Sequence, residues 1–301
     1  MAQVQFGWAL NADPLKGMTP SQFTQAVQQQ IQLVGGYVDS LWFVDHVQFG
    51  DSPLLEGWTA LTYLAAQYPQ FHVGHMVLCQ SFRNPALLAK MAATLQYLSD
   101  GRFTLGIGAG WHEEEYRAYG YEFPSARTRV DQLEETLQIV RALWSEKQVT
   151  YQGKYFSVNT AHCEPKPDPV PPILIGGTGT RMLHLVARYA DEWNAGWLGP
   201  EEYGQKVSVL EQECREVGRD PAQVQRSWFG RCVCVPSKEE AGTLEGSGLL
   251  GTPEQIVEQL QAYVELGIHR FMLGSRSLSD MTTVELLAKE VLPKVMRTGR
   301  P

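Results

Sequence analysis

The segment LWFVDHVQFG, residues 41–50, closes an apolar run on two ionisable side chains, Asp45 and His46. Histidine titrates nearest neutrality, so His46 can give or take a proton in a reaction, and Asp45 can orient it or meet a ligand. At the end of a strand the same pair also reads as a capping arrangement, and position alone leaves both readings open. A second candidate is ILIGGTGTRML (173–183), in which a strand turns through Gly176, Gly177, Thr178, Gly179 and Thr180 into a helix. Free backbone N–H groups at such a turn make a cradle for an anion, here without a Walker lysine.

A third stretch, TLGIGAGWHEEEY (104–116), carries Gly106, Gly108 and Gly110, where a missing Cβ lets backbone come close to a ligand. It fails the dinucleotide fingerprint, because Trp111 stands where the third glycine of G-x-G-x-x-G belongs. It also fails H-E-x-x-H, since Tyr116 replaces the second histidine. The acids Glu113–Glu115 read as the first turn of a helix, at the favourable end of its dipole. Trp8, Trp111 and Trp197, in or just after strands, are candidates for an aromatic-walled substrate pocket. Arg83 can meet an anion or make a salt bridge at a helix entry.

These groups need a frame that brings strand ends together. Eight β-branched or aromatic runs alternate with helix-period segments: 4–10, 40–44, 72–78, 103–107, 172–176, 192–196, 228–235 and 270–274. Amphipathic stretches over 21–34, 85–99, 127–145, 180–190, 201–217 and 252–266 lie between them, several opened by TPSQF, RNPALL or GTPEQI. Eight such units predict one (β/α)₈ barrel spanning 1–301, an α/β fold whose reactive groups sit at the carboxyl ends of its strands. VTYQGKYFSV reads as a hairpin inserted before strand five, and the polar, glycine-containing 236–251 as a mobile loop after strand seven.

Composition narrows the function. A formal charge of −8 opposes a nucleic-acid surface, which needs clustered positive charge. No apolar run reaches the length of a membrane span, and the amino-terminal residues do not read as a signal segment, so a cytoplasmic protein is expected. Five scattered cysteines are expected to be reduced, and the Cys232/Cys234 pair lacks companions to complete a metal site, so no metal is expected.

In order, LWFVDH, SFRNPALLAK, LSDGRF, GIGAGW…EY, GGTGT and ARYADEWN resemble the luciferase-like monooxygenase superfamily across almost the whole chain. The resemblance implies a barrel that binds coenzyme F420, or alternatively FMN, and is closest to the F420-dependent branch. It implies a non-prolyl cis peptide at Met76–Val77 beneath the coenzyme ring, phosphate held at Gly176–Thr180, a coenzyme contact from Asp45 and His46 as acid or base in hydride transfer, to which the close approach allowed by Gly108 and Gly110 adds two further candidate coenzyme-binding residues. It also suggests a homodimer acting on a small molecule. In the sugar-phosphate dehydrogenases of that branch an acid follows the third glycine; here Trp111 does, which argues against glucose 6-phosphate and for a less polar substrate. An FMN monooxygenase using oxygen, or a barrel that binds its ligand without turnover, are the competing readings.

Overall fold

A computed structural model of the chain describes residues 4–11 and 13–298. All eight expected strands form: β1 (Gln5–Ala9), β2 (Ser40–Phe43), β3 (His72–His75, resumed at Leu78–Cys79), β4 (Phe103–Gly108), β5 (Ile173–Gly176), β6 (Glu192–Gly196), β7 (Gln225–Cys234) and β8 (Arg270–Gly274). Each pairs in parallel with the next, and β8 returns to β1 with Gly7 opposite Met272, so the sheet closes. The chain is a (β/α)₈ barrel.

The helices start where their caps dictate. Around the barrel run α1 (Pro20–Val34), α2 (Gly57–Gln67), α3 (Pro85–Leu98), the short α4 (Glu113–Ala118), α5 (Ala126–Ser145), α6 (Thr180–Tyr189), α7 (Pro200–Glu216) and α8 (Pro253–Glu265). Thr19 and Gln22 form a capping box at α1, Thr252 and Gln255 another at α8, and Asn84 accepts from the Ala86 and Leu87 amides at α3. Pro20, Pro85 and Pro253 stand at first-turn positions, where a missing N–H costs nothing.

VTYQGKYFSV forms the expected hairpin, Val149–Gln152 antiparallel to Ser157–Ala161. Segment 236–251 contains a short helix, Lys238–Ala241, and a strand, Leu249–Gly251, that pairs with β7. All five cysteines are unbonded and buried. No helix among the described residues is long and apolar enough to cross a membrane.

Two cores serve the site differently. A large one lies between strands and helices, and a small one of Ala9, Trp42, Met76, Leu174 and Met272 plugs the barrel interior. The Trp42 ring fits because its neighbours lack side chains: a Cβ on Gly74 would lie 2.5 Å from the ring and one on Gly7 2.4 Å from the indole nitrogen. That plug is the floor on which the mouth of the barrel is built.

Candidate functional site

A cavity of about 700 Å³ opens at the carboxyl ends of the strands, within the size range of ligand and cofactor sites. A smaller lobe of about 270 Å³ adjoins it over the barrel axis. Both lobes are lined by Val44, His46, Phe49, Met76, Trp197 and Phe229, so His46 stands on the wall between two compartments.

Its orientation comes from a residue that sequence reasoning placed in a helix turn and nothing more. Glu115, buried on α4, sits 3.0 Å from His46 Nδ1 through Oε1, and its Oε2 accepts the Val47 amide at 2.9 Å. Nδ1 therefore carries the proton that Glu115 accepts, which leaves Nε2 as the nitrogen that can exchange one with a ligand. The edges of Phe49 and Trp111 close on the same imidazole, with ring centroids at 5.5 and 5.8 Å.

Asp45 has a different task from the one its adjacency to His46 suggested. Its carboxylate is wholly buried and takes both Arg83 Nη atoms, at 2.7 and 2.9 Å, together with the Cys79 amide at 2.8 Å. Those three donors fix the carboxylate in place; His46 takes its hydrogen bond from Glu115 and not from Asp45, so the expected orienting role of Asp45 is corrected, while Asp45 does line the larger lobe, where a coenzyme contact was expected of it. Arg83 also binds Glu56, the residue whose carboxylate caps α2. Asp45 thereby ties the end of β2 to the backbone just beyond the Met76–Val77 peptide.

That peptide is cis, as the resemblance implied. Met76 and Val77 line the larger lobe, and the Val77 side chain lodges between two glycines of neighbouring strands. A Cβ on Gly108 would lie 2.8 Å from Val77, and one on Gly176 2.9 Å. Both glycines line the cavity, and their lack of a side chain makes room for the shelf formed by Val77. Gly110 (φ 77°) likewise makes room for the Tyr116 hydroxyl, which a Cβ would approach to 2.0 Å.

The glycine turn behaves otherwise. Gly176, Gly177 and Met182 line the larger lobe, with Thr178, Gly179 and Thr180 between them in the chain. The Trp193 indole donates to the Gly177 carbonyl at 2.8 Å and holds the turn from beneath. Gly179 caps α6 with no side-chain hydrogen bond, and a Cβ there would meet nothing within 4 Å. Open space before an uncapped helix start fits a phosphate. The residues present thus suit a flat ring over the Met76–Val77 shelf with an anionic tail at α6.

Two of the three predicted pocket tryptophans reach the cavity. Trp111 is 64% exposed and lines the larger lobe, and Trp197, at 45%, lines both. Trp8 does not. It is 1% exposed, faces outward from β1 and donates to Gln30 on α1, because alternation along the strand turns Gly7 and Ala9 inward.

Barrel and cavity together define a (β/α)₈-barrel protein with a two-lobed ligand site at its mouth. The chain belongs to the luciferase-like monooxygenase family, whose model matches residues 6–244. An F420-dependent glucose-6-phosphate dehydrogenase of Microbacterium testaceum is 33% identical, over 86% of this chain and 89% of that protein. A protein of the same description from Kineococcus radiotolerans is 32% identical, over 63% of this chain and 58% of that one. Among solved structures, an F420-dependent secondary alcohol dehydrogenase in complex with an F420-acetone adduct superposes with a TM-score of 0.85 at 21% identity, covering 97% and 99% of the two chains, which speaks for the fold.

Proposed function

We propose that the protein is a coenzyme F420-dependent oxidoreductase that moves a hydride to or from a small organic substrate, with His46 handling the accompanying proton. The observation that carries this reading is the position of His46 on the wall between a cofactor-sized and a substrate-sized lobe, its Nδ1 held by Glu115. The F420-dependent relatives support the choice of coenzyme.

When bound, the deazaflavin would accept or give two electrons as hydride at its C5 carbon, according to the direction of the reaction. The chain supplies the rest. Met76 and Val77 support the ring, the turn at Gly176–Thr180 receives the phosphate, and Phe229 and Trp197 confine the substrate beside it. In the oxidative direction His46 Nε2 accepts the substrate hydroxyl proton as the carbon loses hydride; in the reductive direction it returns one. Glu115 keeps Nε2 facing the lobes, and the aromatic rings around His46 limit water at the reacting centre.

Titration of the purified protein with F420 and with FMN tests the coenzyme. Quenching of F420 fluorescence at micromolar concentrations is expected; binding of FMN alone would favour the oxygen-using monooxygenase, and binding of neither would overturn the reading. His46→Ala should leave F420 affinity within about twofold and lower turnover by about 10²–10⁴-fold, the range of general acid–base catalysis.

A further inference from the structure

We infer that Arg231 anchors an anionic group of the substrate, so that the substrate is a small organic acid whose reacting carbon lies beside His46. This rests on the reading above, which it extends to the class of molecule.

Along β7, alternation sets Ser227, Phe229 and Arg231 toward the barrel interior and Trp228 and Gly230 toward the helices. The contacts agree. Ser227 accepts from Asn194 inside the barrel, Phe229 lines both lobes, and the Trp228 indole donates outward to the Leu198 carbonyl. Arg231 follows on the inner face and lines the smaller lobe, the one over the barrel axis and beside His46.

Its backbone is fixed on two sides. Arg231 pairs with Gly274 of β8, and Gly248 (φ 120°) packs against the Arg231 carbonyl, which a Cβ there would approach to 2.3 Å. The side chain is committed to no acid. Among the described residues no carboxylate lies within ion-pair distance of it, and its guanidinium carbon is 6.0 Å from the centroid of the Trp197 ring. Two acids of the larger lobe are engaged, Asp45 by Arg83 and Glu115 by His46. Asp13 is the one other charged residue lining the smaller lobe besides His46, and it makes no ion pair with Arg231.

An exposed arginine that has the Trp197 ring beside it but no acid, on the wall of a mixed polar and apolar lobe, suits an oxyanion, whose two oxygens match its planar fork. The lobe's Asn11 and Ser52 add amide and hydroxyl groups, whereas the Ser275 hydroxyl is engaged by Asn11, Gln30 and the Ser277 carbonyl. At about 270 Å³ the compartment admits a molecule of a few carbons. A substrate anchored at Arg231 is pinned at one end while its other end meets His46 on the wall between the lobes.

The test compares short hydroxy- and oxo-acids of three to six carbons, and their phosphonate counterparts, with the matching neutral amides and with the corresponding amines. Binding is read by calorimetry on the protein with and without F420, and turnover on the loaded protein. The acids should bind at least about 10-fold more tightly than the amides. Arg231→Met should erase that preference, a loss of about 10- to 100-fold, as expected when a charge-assisted contact is removed. F420 affinity of the variant should stay within about twofold of the parent's. Whichever of the carboxylates or phosphonates lead identifies the oxyanion. Equal binding of acids and amides, a preference for the amines (which would make Asp13 the anchor), or an Arg231→Met variant that keeps the acid preference would overturn the assignment. So would a variant that loses F420 affinity instead, since Arg231 would then hold the coenzyme tail. If the unaltered protein fails to bind F420 while still preferring acids, the coenzyme reading fails and the Arg231 anchor stands.

Discussion

Replacement of Arg83 by Met puts the frame of the site under the most direct load. The Asp45 side chain has no solvent exposure and Arg83 only 9%, and two parallel bonds of 2.7 and 2.9 Å join them. Without the guanidinium, the carboxylate keeps one donor, the Cys79 amide. Removing one partner of a buried pair typically costs about 3–5 kcal/mol, because an uncompensated charge remains behind. Glu56 adds less, since its half-exposed carboxylate still caps α2 through the Trp58 and Thr59 amides.

The same reasoning fixes the sign of a double-mutant cycle. With Asp45→Asn the charge is gone, so the double variant should cost less than the sum of the two single changes by about 2 kcal/mol or more. Urea unfolding of the four proteins reads the cycle, with unchanged m-values required for the comparison. Because Asp45 also holds the amide just past Met76 and Val77, the Arg83→Met protein should lose F420 affinity by about 10-fold or more even under conditions where it is fully folded. Additive costs, or an Arg83→Met protein within about 1 kcal/mol of the parent, would refute the claim that this pair supports the shelf.

Three further outcomes are expected. Glu115→Gln should lower kcat by about 10- to 100-fold, the usual effect of losing the group that orients a functional histidine, while KM and F420 affinity stay put; a fall in affinity with unchanged kcat would contradict the positioning role. Gly179→Asp should leave thermal stability unchanged or raised, since Asp is a favoured N-cap in the open space there, yet weaken F420 at least about 10-fold through repulsion of its phosphate; retained affinity would remove the turn from the coenzyme site. His75 is fully buried against the Trp58 ring, and burial pushes its pKa down from 6.5 to about 4. The unfolded chain therefore binds a proton that the native state refuses, so this group's share of stability is complete above about pH 6.5 and falls by about 3 kcal/mol as pH drops to about 4. His75→Phe should flatten the pH dependence of the urea midpoint between pH 7 and 5, and an unchanged slope would show that His75 is not the group responsible.

How much of this could be read beforehand depends on whether the deciding contact is local. The eight strands were legible because a parallel sheet buried on both faces writes each strand as a short apolar run, and α1, α3 and α8 announce themselves by Thr19, Asn84 and Thr252 before a proline. Helix α2 carries no such mark, since its cap is a glutamate, Glu56, held in place by Arg83. Glu115 was read correctly as a first-turn acid; what sequence alone lacked was that α4, which follows β4, reaches past β3 to the end of β2, so that the buried acid finds His46, 69 positions away. Trp8 is the instructive error. Phe6 and Trp8 alternate with Gly7 and Ala9, and in a narrow barrel the small residues must face inward to leave room for a ring such as Trp42, which sends Trp8 out against α1. The glycines teach the same lesson from the other side: those at 108 and 110 yield to Val77 and Tyr116, and at Gly179, where no protein atom comes near, the missing side chain leaves room for a ligand.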